Sequence, residues 1–341
     1  MRTVTLGKTG LEVSAVGFGG IPIQRVSEAE AVATIHRTIE LGVNFIDTAA
    51  GYGDSEAKIG KAIAGRRDGL VIATKSGEAT AEGVLEEIEQ SRRAMGIDVI
   101  DLFQFHGVNN REKWEKIQGP GGAMEAVLAL RDKGVLAHVG VTSHSLDLSL
   151  ELVDFPEFET IQFPFNLVTN EPADELIPRA RANGLGFIVM KPLCGGQYEN
   201  ANLAFKFLNA WSDVVPIPGI ERAEEIEEIA EIVASGETLQ GEEKARAEQI
   251  AADLGKLFCR RCGYCMPCPH DVPIMLSMIF DSFLKRFPEE KLLNGPVKAV
   301  LENNGNCVEC GICETKCPYD LPIREKVAES LDRAACVAEQ A

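Results

Sequence analysis

The sequence predicts an α/β protein: a (β/α)8 TIM barrel followed by a small, mainly α-helical domain. Three observations lead there. Short apolar runs alternate with amphipathic helical stretches from residue 16 to residue 233. The length of 341 residues suits one large domain plus one small one. Eight of the ten cysteines crowd between residues 259 and 317, so the C-terminal part has a composition of its own.

The strand candidates are Val16–Gly19, Asn44–Asp47, Leu70–Lys75, Leu102–His106, Ala137–Val141, Thr160–Phe163, Gly186–Met190 and Val214–Ile217. Helical patterns lie between them, among them Glu28–Leu41, Ser55–Ala64, Ala81–Met95, Gly122–Lys133, Pro172–Asn183 and Arg222–Ala234. Strand and helix alternating in this way predict a parallel sheet that closes on itself. The leading segment Thr3–Leu6, Gly7-Lys8-Thr9-Gly10, Leu11–Ser14 reads as a β-hairpin capping the barrel floor. A doubly wound open sheet is the alternative, but it would need Gly-x-Gly-x-x-Gly after the first strand. Gly17-Phe-Gly19-Gly20 lacks the third glycine and runs into Ile-Pro instead of a helix. The expected domains are a barrel over 1–235, a linker and helix over 236–256, and a second domain over 257–341.

A formal charge of −18 argues against nucleic acid, which needs a basic footprint, and against anionic membrane surfaces. No apolar run approaches the roughly 18 residues of a membrane span. The start Met1-Arg2-Thr3-Val4 opens directly into a strand pattern, so no signal peptide is expected and the expected location is cytoplasmic.

The cysteine runs read Cys259-Arg-Arg-Cys262-Gly-Tyr-Cys265-Met-Pro-Cys268-Pro269 and Cys307-Val-Glu-Cys310-Gly-Ile-Cys313-Glu-Thr-Lys-Cys317-Pro318. Three cysteines at every third position can wrap one face of a cubane, and a fourth before proline turns toward a neighbouring cluster. That is the ligand logic of a two-cluster ferredoxin. All eight are therefore expected to hold two 4Fe–4S clusters. Structural zinc is the alternative, but it needs only two Cys-x-x-Cys pairs. The helical-looking spacer Ile274–Leu301 predicts an α-helical, ferredoxin-like arrangement. By the usual sharing, Cys259, Cys262 and Cys265 join Cys317, while Cys307, Cys310 and Cys313 join Cys268. The shorter gap before Cys268 leaves that partition open. His270 is expected to cap the following helix instead of binding iron. Thiolate ligands call for a reducing compartment.

Barrel active sites lie at the C-terminal ends of the strands. Those ends carry Asp47, then Tyr52 in the loop beyond it, Lys75 and His106. Together they make a general-acid group. A phenol with an ordinary pKa of about 10 is a poor donor at neutral pH. A buried ammonium lowers that value, a carboxylate holds the ammonium, and a neutral imidazole orients a carbonyl. Side chains supply no hydride, so a nicotinamide is implied.

The segment Asn44-Phe-Ile-Asp47-Thr-Ala-Ala-Gly-Tyr52-Gly-Asp-Ser-Glu56, with Ala73-Thr-Lys75 and Phe105-His106, resembles the signature of the aldo-keto reductase family over residues 3–233. The resemblance implies Tyr52 as general acid, Lys75 and Asp47 as its tuning pair, and His106 as the carbonyl-positioning group. It implies Ser143, His144, Gln162 and Asn166 on the nicotinamide side, with histidine replacing the family's usual asparagine. After the seventh strand the family's Tyr-Ser-Pro-Leu is replaced by Met190-Lys191-Pro192-Leu193, so the stacking ring is lost and Lys191 adds a charge. Cys194 beyond it is expected to be packing. Gly219 and Arg222 fall at the adenosine-phosphate corner, where Glu221, Glu224 and Glu225 lean the choice toward NAD(H). The chain as a whole resembles the subgroup with a C-terminal two-cluster extension. Three functions remain open at this stage. The first is an iron–sulfur oxidoreductase acting on a small carbonyl or alcohol, its clusters relaying electrons to a ferredoxin, another redox protein or a flavin. The second is a plain NAD(P)H-dependent carbonyl reductase with structural clusters, and the third an electron-transfer subunit on a non-catalytic barrel.

Overall fold

The structure, a computed structural model, describes residues 1–340 and falls into two compact units divided between Gln240 and Gly241. Each is described by itself. Among the described residues no helix is long and apolar enough to cross a membrane.

The first unit opens with the expected hairpin. Strand β1 (Thr3–Thr5) pairs antiparallel with β2 (Glu12–Ser14), Val4 facing Val13. Its turn fastens to the start of a later strand: Lys8 N–H donates to Gly184 C=O, and Gly7 bridges Leu185.

Eight parallel strands follow: β3 (Phe18–Gly19), β4 (Phe45–Asp47), β5 (Val71–Ser76), β6 (Ile100–Phe105), β7 (Leu136–Thr142), β8 (Thr160–Pro164), β9 (Gly186–Met190) and β10 (Val214–Pro216). Each lies beside its neighbour in sequence, the order left by right-handed βαβ crossovers. The sheet curls until its edges meet. Gly17 N–H donates to Pro216 C=O at 2.9 Å and Gly19 N–H to Pro218 C=O at 2.8 Å, while Ile220 N–H donates back to Gly19 C=O at 3.1 Å. These bonds remove both open edges. The glycines that fail as a nucleotide fingerprint serve this seam. A Cβ on Gly19 would lie 2.5 Å from Pro218 O, and one on Gly17 would lie 2.7 Å from the Phe45 ring.

The helices around this sheet are α1 (Glu28–Glu40), α2 (Ser55–Ile63), α3 (Ala81–Met95), α4 (Arg111–Gln118), α5 (Ala123–Asp132), α6 (Leu146–Leu152), α7 (Leu176–Ala182), α8 (Ala201–Leu208) and α9 (Ala223–Ser235). Local chemistry sets their ends. Ser27 and Glu30 form a reciprocal capping box at α1, and α3 stops at left-handed Gly96. The predicted helix Pro172–Asn183 is split into a 3₁₀ turn, Glu171–Ala173, and α7. Pro178 accounts for the late start, since its missing N–H and fixed φ suit only a first turn. Strand interiors are apolar and buried, as in Ile72, Ala73, Leu102, Phe103 and Val141.

The second unit contains α10 (Gly241–Gly255), α11 (Ile274–Met278), α12 (Phe280–Leu284), α13 (Glu289–Leu292), α14 (Lys298–Asn303), α15 (Ile312–Thr315) and α16 (Ile323–Gln340). The spacer expected to read as one helical stretch is broken into four short helices. Pro288 precedes α13, and Pro296 lies inside a π-wound turn, Leu293–Val297, where it removes a backbone donor. The helix after His270 starts at Pro273–Ile274 with no side-chain cap, so His270 does not play the capping role expected of it. Two small apolar clusters hold the unit, one around Val272, Ile274, Met278, Leu321, Ile323 and Val327, the other around Phe280, Leu292, Val297 and Val300. Between them sits a buried polar knot. The Asn304 amide donates to Ser277 Oγ at 3.0 Å, Val327 C=O at 3.0 Å and Ser330 Oγ at 2.8 Å, tying α11 to α16.

Two stability outcomes follow from these contacts. Gly19→Ala should cost about 1–3 kcal/mol by overpacking the seam, measured by denaturant unfolding of the full chain; an unchanged midpoint would refute the seam argument. Asn304→Ala should loosen the second unit by about 1–3 kcal/mol by removing the amide donor to the buried Ser277 and Ser330 hydroxyls, read as faster amide exchange in α11 and α16.

Candidate functional site

Lys75, at the penultimate residue of β5, is 1% exposed, and Asp47, the last residue of β4, is 2% exposed. Lys75 Nζ donates to Asp47 Oδ1 and to Thr48 C=O, both at 2.6 Å. An ammonium has three protons, so one remains. Lys75 Nζ lies 5.3 Å from the centre of the Tyr52 ring, and the Tyr52 ring meets His106 edge-on at 5.7 Å between centres. All four residues taken from the strand ends thus gather at the C-terminal mouth.

The backbone past each strand explains the placement. Thr48 and Ala50 donate to Ala73 and Lys75 carbonyls, extending the β4–β5 ladder to the loop that carries Tyr52. Tyr52 then sits in a turn closed by its N–H to Ala49 C=O and by Ser55 N–H to Tyr52 C=O. Ser55 Oγ, buried, locks that turn against Thr48 Oγ1 and Gly20 C=O, each at 2.9 Å. His106 N–H donates to Ser76 C=O at 2.8 Å, extending the ladder on the other side.

Burial sets the charges. It pushes the Asp47 carboxyl above the usual carboxylate range, against the opposing pull of the Lys75 ammonium and of hydrogen bonds from Lys75 and Gln104. Burial, helped by the positive charges of Lys75 and Lys113, takes His106 down to about 3, so the ring is a neutral imidazole near pH 7. Glu56, on α2 behind Lys75, is raised by burial and accepts a 2.5 Å hydrogen bond from Thr74 Oγ1.

The residues implied on the nicotinamide side divide. Gln162 is 3% exposed, and its Oε1 has no hydrogen-bond partner among the described residues. Ser143 Oγ is committed to Val108 C=O at 2.7 Å, and His144 N–H is held by Asn109 Oδ1 at 2.8 Å. Asn166 is engaged by its own loop and by the loop after β9: it accepts from Val168 N–H and Thr169 N–H, donates to Lys191 C=O and accepts from Cys194 Sγ. Cys194 is accordingly a buried packing residue. Lys191 and Cys194 both have left-handed backbones, at φ 56° and 51°, a conformation costing non-glycine residues roughly 1–2 kcal/mol. Gly219 pairs with Gly19 across the seam, and a Cβ there would meet Pro22 at 2.9 Å. Arg222 reaches Glu225 at 3.4 Å, so the acidic corner is partly neutralised from within.

The cysteine runs are two copies of one shape. Arg261 and Gly263 in the first have positive φ, and so do Glu309 and Gly311 at the matching positions of the second. Three residues beyond each fourth cysteine, Asp271 and Asp320 do the same. Met266 N–H donates to Gly263 C=O, as Glu314 N–H does to Gly311 C=O, and a helix starts at Ile274 and again at Ile323. The sequence carries this duplication as Cys268-Pro-His-Asp-Val-Pro-Ile274 and Cys317-Pro-Tyr-Asp-Leu-Pro-Ile323, a repeat that reading the cysteines alone does not reveal. Cys265 is pushed up to about 12 by burial and by its thiol neighbours Cys259, Cys262 and Cys317. Cys268 lines a cleft with Cys307, Cys310 and Cys313. Among the described residues no three His, Cys, Asp or Glu side chains converge tightly enough, as they stand, to hold a single metal ion.

A family model described as the aldo/keto reductase family matches residues 15–211, and the chain belongs to that family. It is 29% identical over 215 residues to aldo-keto reductase YhdN of Bacillus subtilis (strain 168), covering 58% of this chain and 63% of that one. It is 31% identical over 210 residues to L-galactose dehydrogenase of Arabidopsis thaliana, covering 56% of this chain and 65% of that one. The chain thus spans just under two thirds of the length of these curated relatives. Among solved structures, a holo-form aldo-keto reductase from Bacillus halodurans superposes with a TM-score of 0.62 at 23% identity, over 74% of this chain and 96% of that one. An aldo-keto reductase from Klebsiella pneumoniae in complex with NADPH does so with a TM-score of 0.62 at 22% identity, over 73% and 95%. At these identities the superpositions speak to the fold.

Two measurements check the site's electrostatics. Because His106 is held neutral below its ordinary value of 6.5, the unfolded chain takes up a proton there before the folded one does. Stability from this group is full above that value and falls with pH by up to about 1.4 kcal/mol per unit. Denaturation of His106→Gln across the window from pH 6.5 toward 3 should show a flatter slope than the parent. Lys75→Met, which removes the charge that holds the buried Asp47 ionised, should destabilise by about 3–5 kcal/mol. Asp47→Asn added to it should recover most of the loss.

Proposed function

We propose that the chain is an aldo-keto reductase-type oxidoreductase that interconverts a small carbonyl and its alcohol, with Tyr52 as the proton donor and acceptor. One observation carries the reading: a fully buried Lys75–Asp47 pair beside a tyrosine and a neutral histidine at the strand ends. His106 donates a hydrogen bond to the carbonyl oxygen and orients it. Tyr52 gives that oxygen its proton as the carbon is reduced, and the negative charge left on the phenol is met by the third proton of Lys75. In alcohol oxidation the same proton returns to Tyr52. A nicotinamide, when bound, supplies or takes up the hydride. Gln162 fits its carboxamide, because the buried Oε1 is an acceptor with no protein donor. Ser143, His144 and Lys191 are proposed to line that side, and Gly219 and Arg222 the adenosine end. Glu225 beside Arg222 favours NAD(H), whereas the Klebsiella relative is recorded with NADPH. Comparing kcat/KM for the two cofactors decides between them.

We further propose that the second unit holds two 4Fe–4S clusters, Cys259, Cys262, Cys265 and Cys317 on one and Cys307, Cys310, Cys313 and Cys268 on the other. The duplicated backbone and the convergence of thiols, with Cys265 close to Cys259, Cys262 and Cys317 and with Cys268 lining one cleft with Cys307, Cys310 and Cys313, support this donor set. Clusters of this kind pass single electrons, so a redox protein such as a ferredoxin, or a flavin, is the proposed second partner.

Tyr52→Phe should lower carbonyl turnover by about 10²–10⁴-fold; turnover at the parent rate would remove Tyr52 from the reaction. Anaerobically purified chain should contain about eight irons and as many acid-labile sulfides, and Cys262→Ser should lose about half. Bleaching of the cluster absorbance by NADH, NADPH or reduced ferredoxin would identify the electron donor. Reduction of carbonyls that proceeds unchanged in a folded Cys262→Ser chain would assign the clusters a structural role.

A further inference from the structure

The sequence motifs leave one residue of the acid–base group unaccounted for. Gln104 is wholly buried on β6, in direct register with Lys75 on β5. Its neighbours along the strand, Leu102, Phe103 and Phe105, are apolar core residues. A buried amide in such a strand is unfavourable unless its groups are matched, and here only one side is. Gln104 Nε2 donates to Asp47 Oδ2 at 3.3 Å, while Oε1 has no partner among the described residues. The amide orientation is the one chemistry demands, because an ionised carboxylate only accepts. An apolar side chain of equal length would fill the space without an unmatched acceptor, so the amide is kept for its contact with Asp47.

We propose that Gln104 is a positioning residue of the acid–base group: its amide occupies the second oxygen of Asp47, so the carboxylate grips Lys75 through one oxygen only and the ammonium keeps a proton directed at Tyr52. The proposal rests on the reading of Tyr52 as the proton donor. Without the amide, Asp47 is free to swing both oxygens onto Lys75 and draw the ammonium from the phenol. The titratable groups facing the pair are Tyr52 from its loop, His106 from the end of β6 and Glu56 from α2. The donor at Asp47 Oδ2 is the Gln104 amide.

The test uses the full chain with its tyrosine ring carbons isotopically labelled, the Tyr52 resonance being assigned by its loss in Tyr52→Phe. In Gln104→Met the Tyr52 phenol should titrate about one unit higher than in the parent, and kcat/KM for carbonyl reduction at neutral pH should fall about tenfold. Gln104→Asn, which stays polar but is too short to reach Asp47, should behave like Gln104→Met and carries the test if that variant does not fold. In Gln104→Glu, burial and the adjacent Asp47 keep the new carboxyl protonated and therefore a donor, so both readouts should return toward the parent. An unmoved phenol titration in Gln104→Met or Gln104→Asn, with Tyr52→Phe still inactive, overturns the role of Gln104 and leaves the proposed function standing. A parent chain without carbonyl turnover overturns the proposed function, while the titration still reports on Gln104.

Discussion

The ion pair between Lys75 and Asp47 is the constraint around which the barrel mouth is arranged. Two charges taken fully out of water are stable only if their remaining hydrogen-bonding capacity is met. Thr48 supplies an acceptor to the ammonium, and Gln104 supplies a donor to the carboxylate. Those partners stand in place because β4, β5 and β6 are adjacent and in register, and that register depends on the sheet closing. The pair therefore reports on the whole barrel. A slip of one residue in β4 or β5 would turn one charged side chain out of the interior and leave the other alone inside, and a slip in β6 would take the Gln104 amide from Asp47.

Burial serves the chemistry in different ways at different groups. At His106 it makes a neutral hydrogen-bond donor out of a residue that otherwise titrates near physiological pH. At Lys75 the carboxylate partner keeps the charge in place, and a desolvated positive charge acts on a nearby phenol with little screening by water. The loop carrying Tyr52 is pinned by Ser55 and the extended ladder, which holds its ring 5.3 Å from the Lys75 ammonium. On the side where the nicotinamide is proposed to lie, the mouth is more idiosyncratic. Met190 and Lys191 stand where a stacking aromatic ring is usual in the family, and the loop from Lys191 to Cys194 holds two side-chain-bearing residues in left-handed backbone. Strain kept at such a position is consistent with a site shaped for binding.

The second unit solves a different problem with a repeated device. A short helical unit with two small apolar clusters buries little surface for its length, and units of that kind commonly depend on staples. Its two cysteine loops repeat the same left-handed turns, at Arg261 and Gly263 and again at Glu309 and Gly311. Glycine takes this conformation without strain, whereas at Arg261 and Glu309 it costs energy, and the same cost at matching positions of both loops supports a shared role for them.

The alternation of apolar runs and amphipathic helices determined the (β/α)8 arrangement, and the strand ends carrying Asp47, Lys75 and His106 marked out the candidate site that the fold then gathers at one mouth. Both follow from period and position, which a sequence displays directly. The spacing of the eight cysteines likewise set the candidate ligand set. What the sequence could not decide depended on contacts between residues distant along the chain. Gly17 and Gly19 look like a broken nucleotide motif until the first and last strands meet across them. Gln104 is one polar residue in an apolar run until register sets it beside Lys75. Asn166 and Ser143 match a cofactor site in sequence, and the fold adds hydrogen bonds from Ser143 Oγ to Val108 C=O and from Asn166 to Lys191 C=O. Pro178 and Pro296 cut predicted helices because backbone donors are lost at single positions, a local effect that periodicity averages away. Tertiary structure decided these cases because each depends on which atoms share one buried volume, and only the closed sheet and the packed helices bring those atoms together.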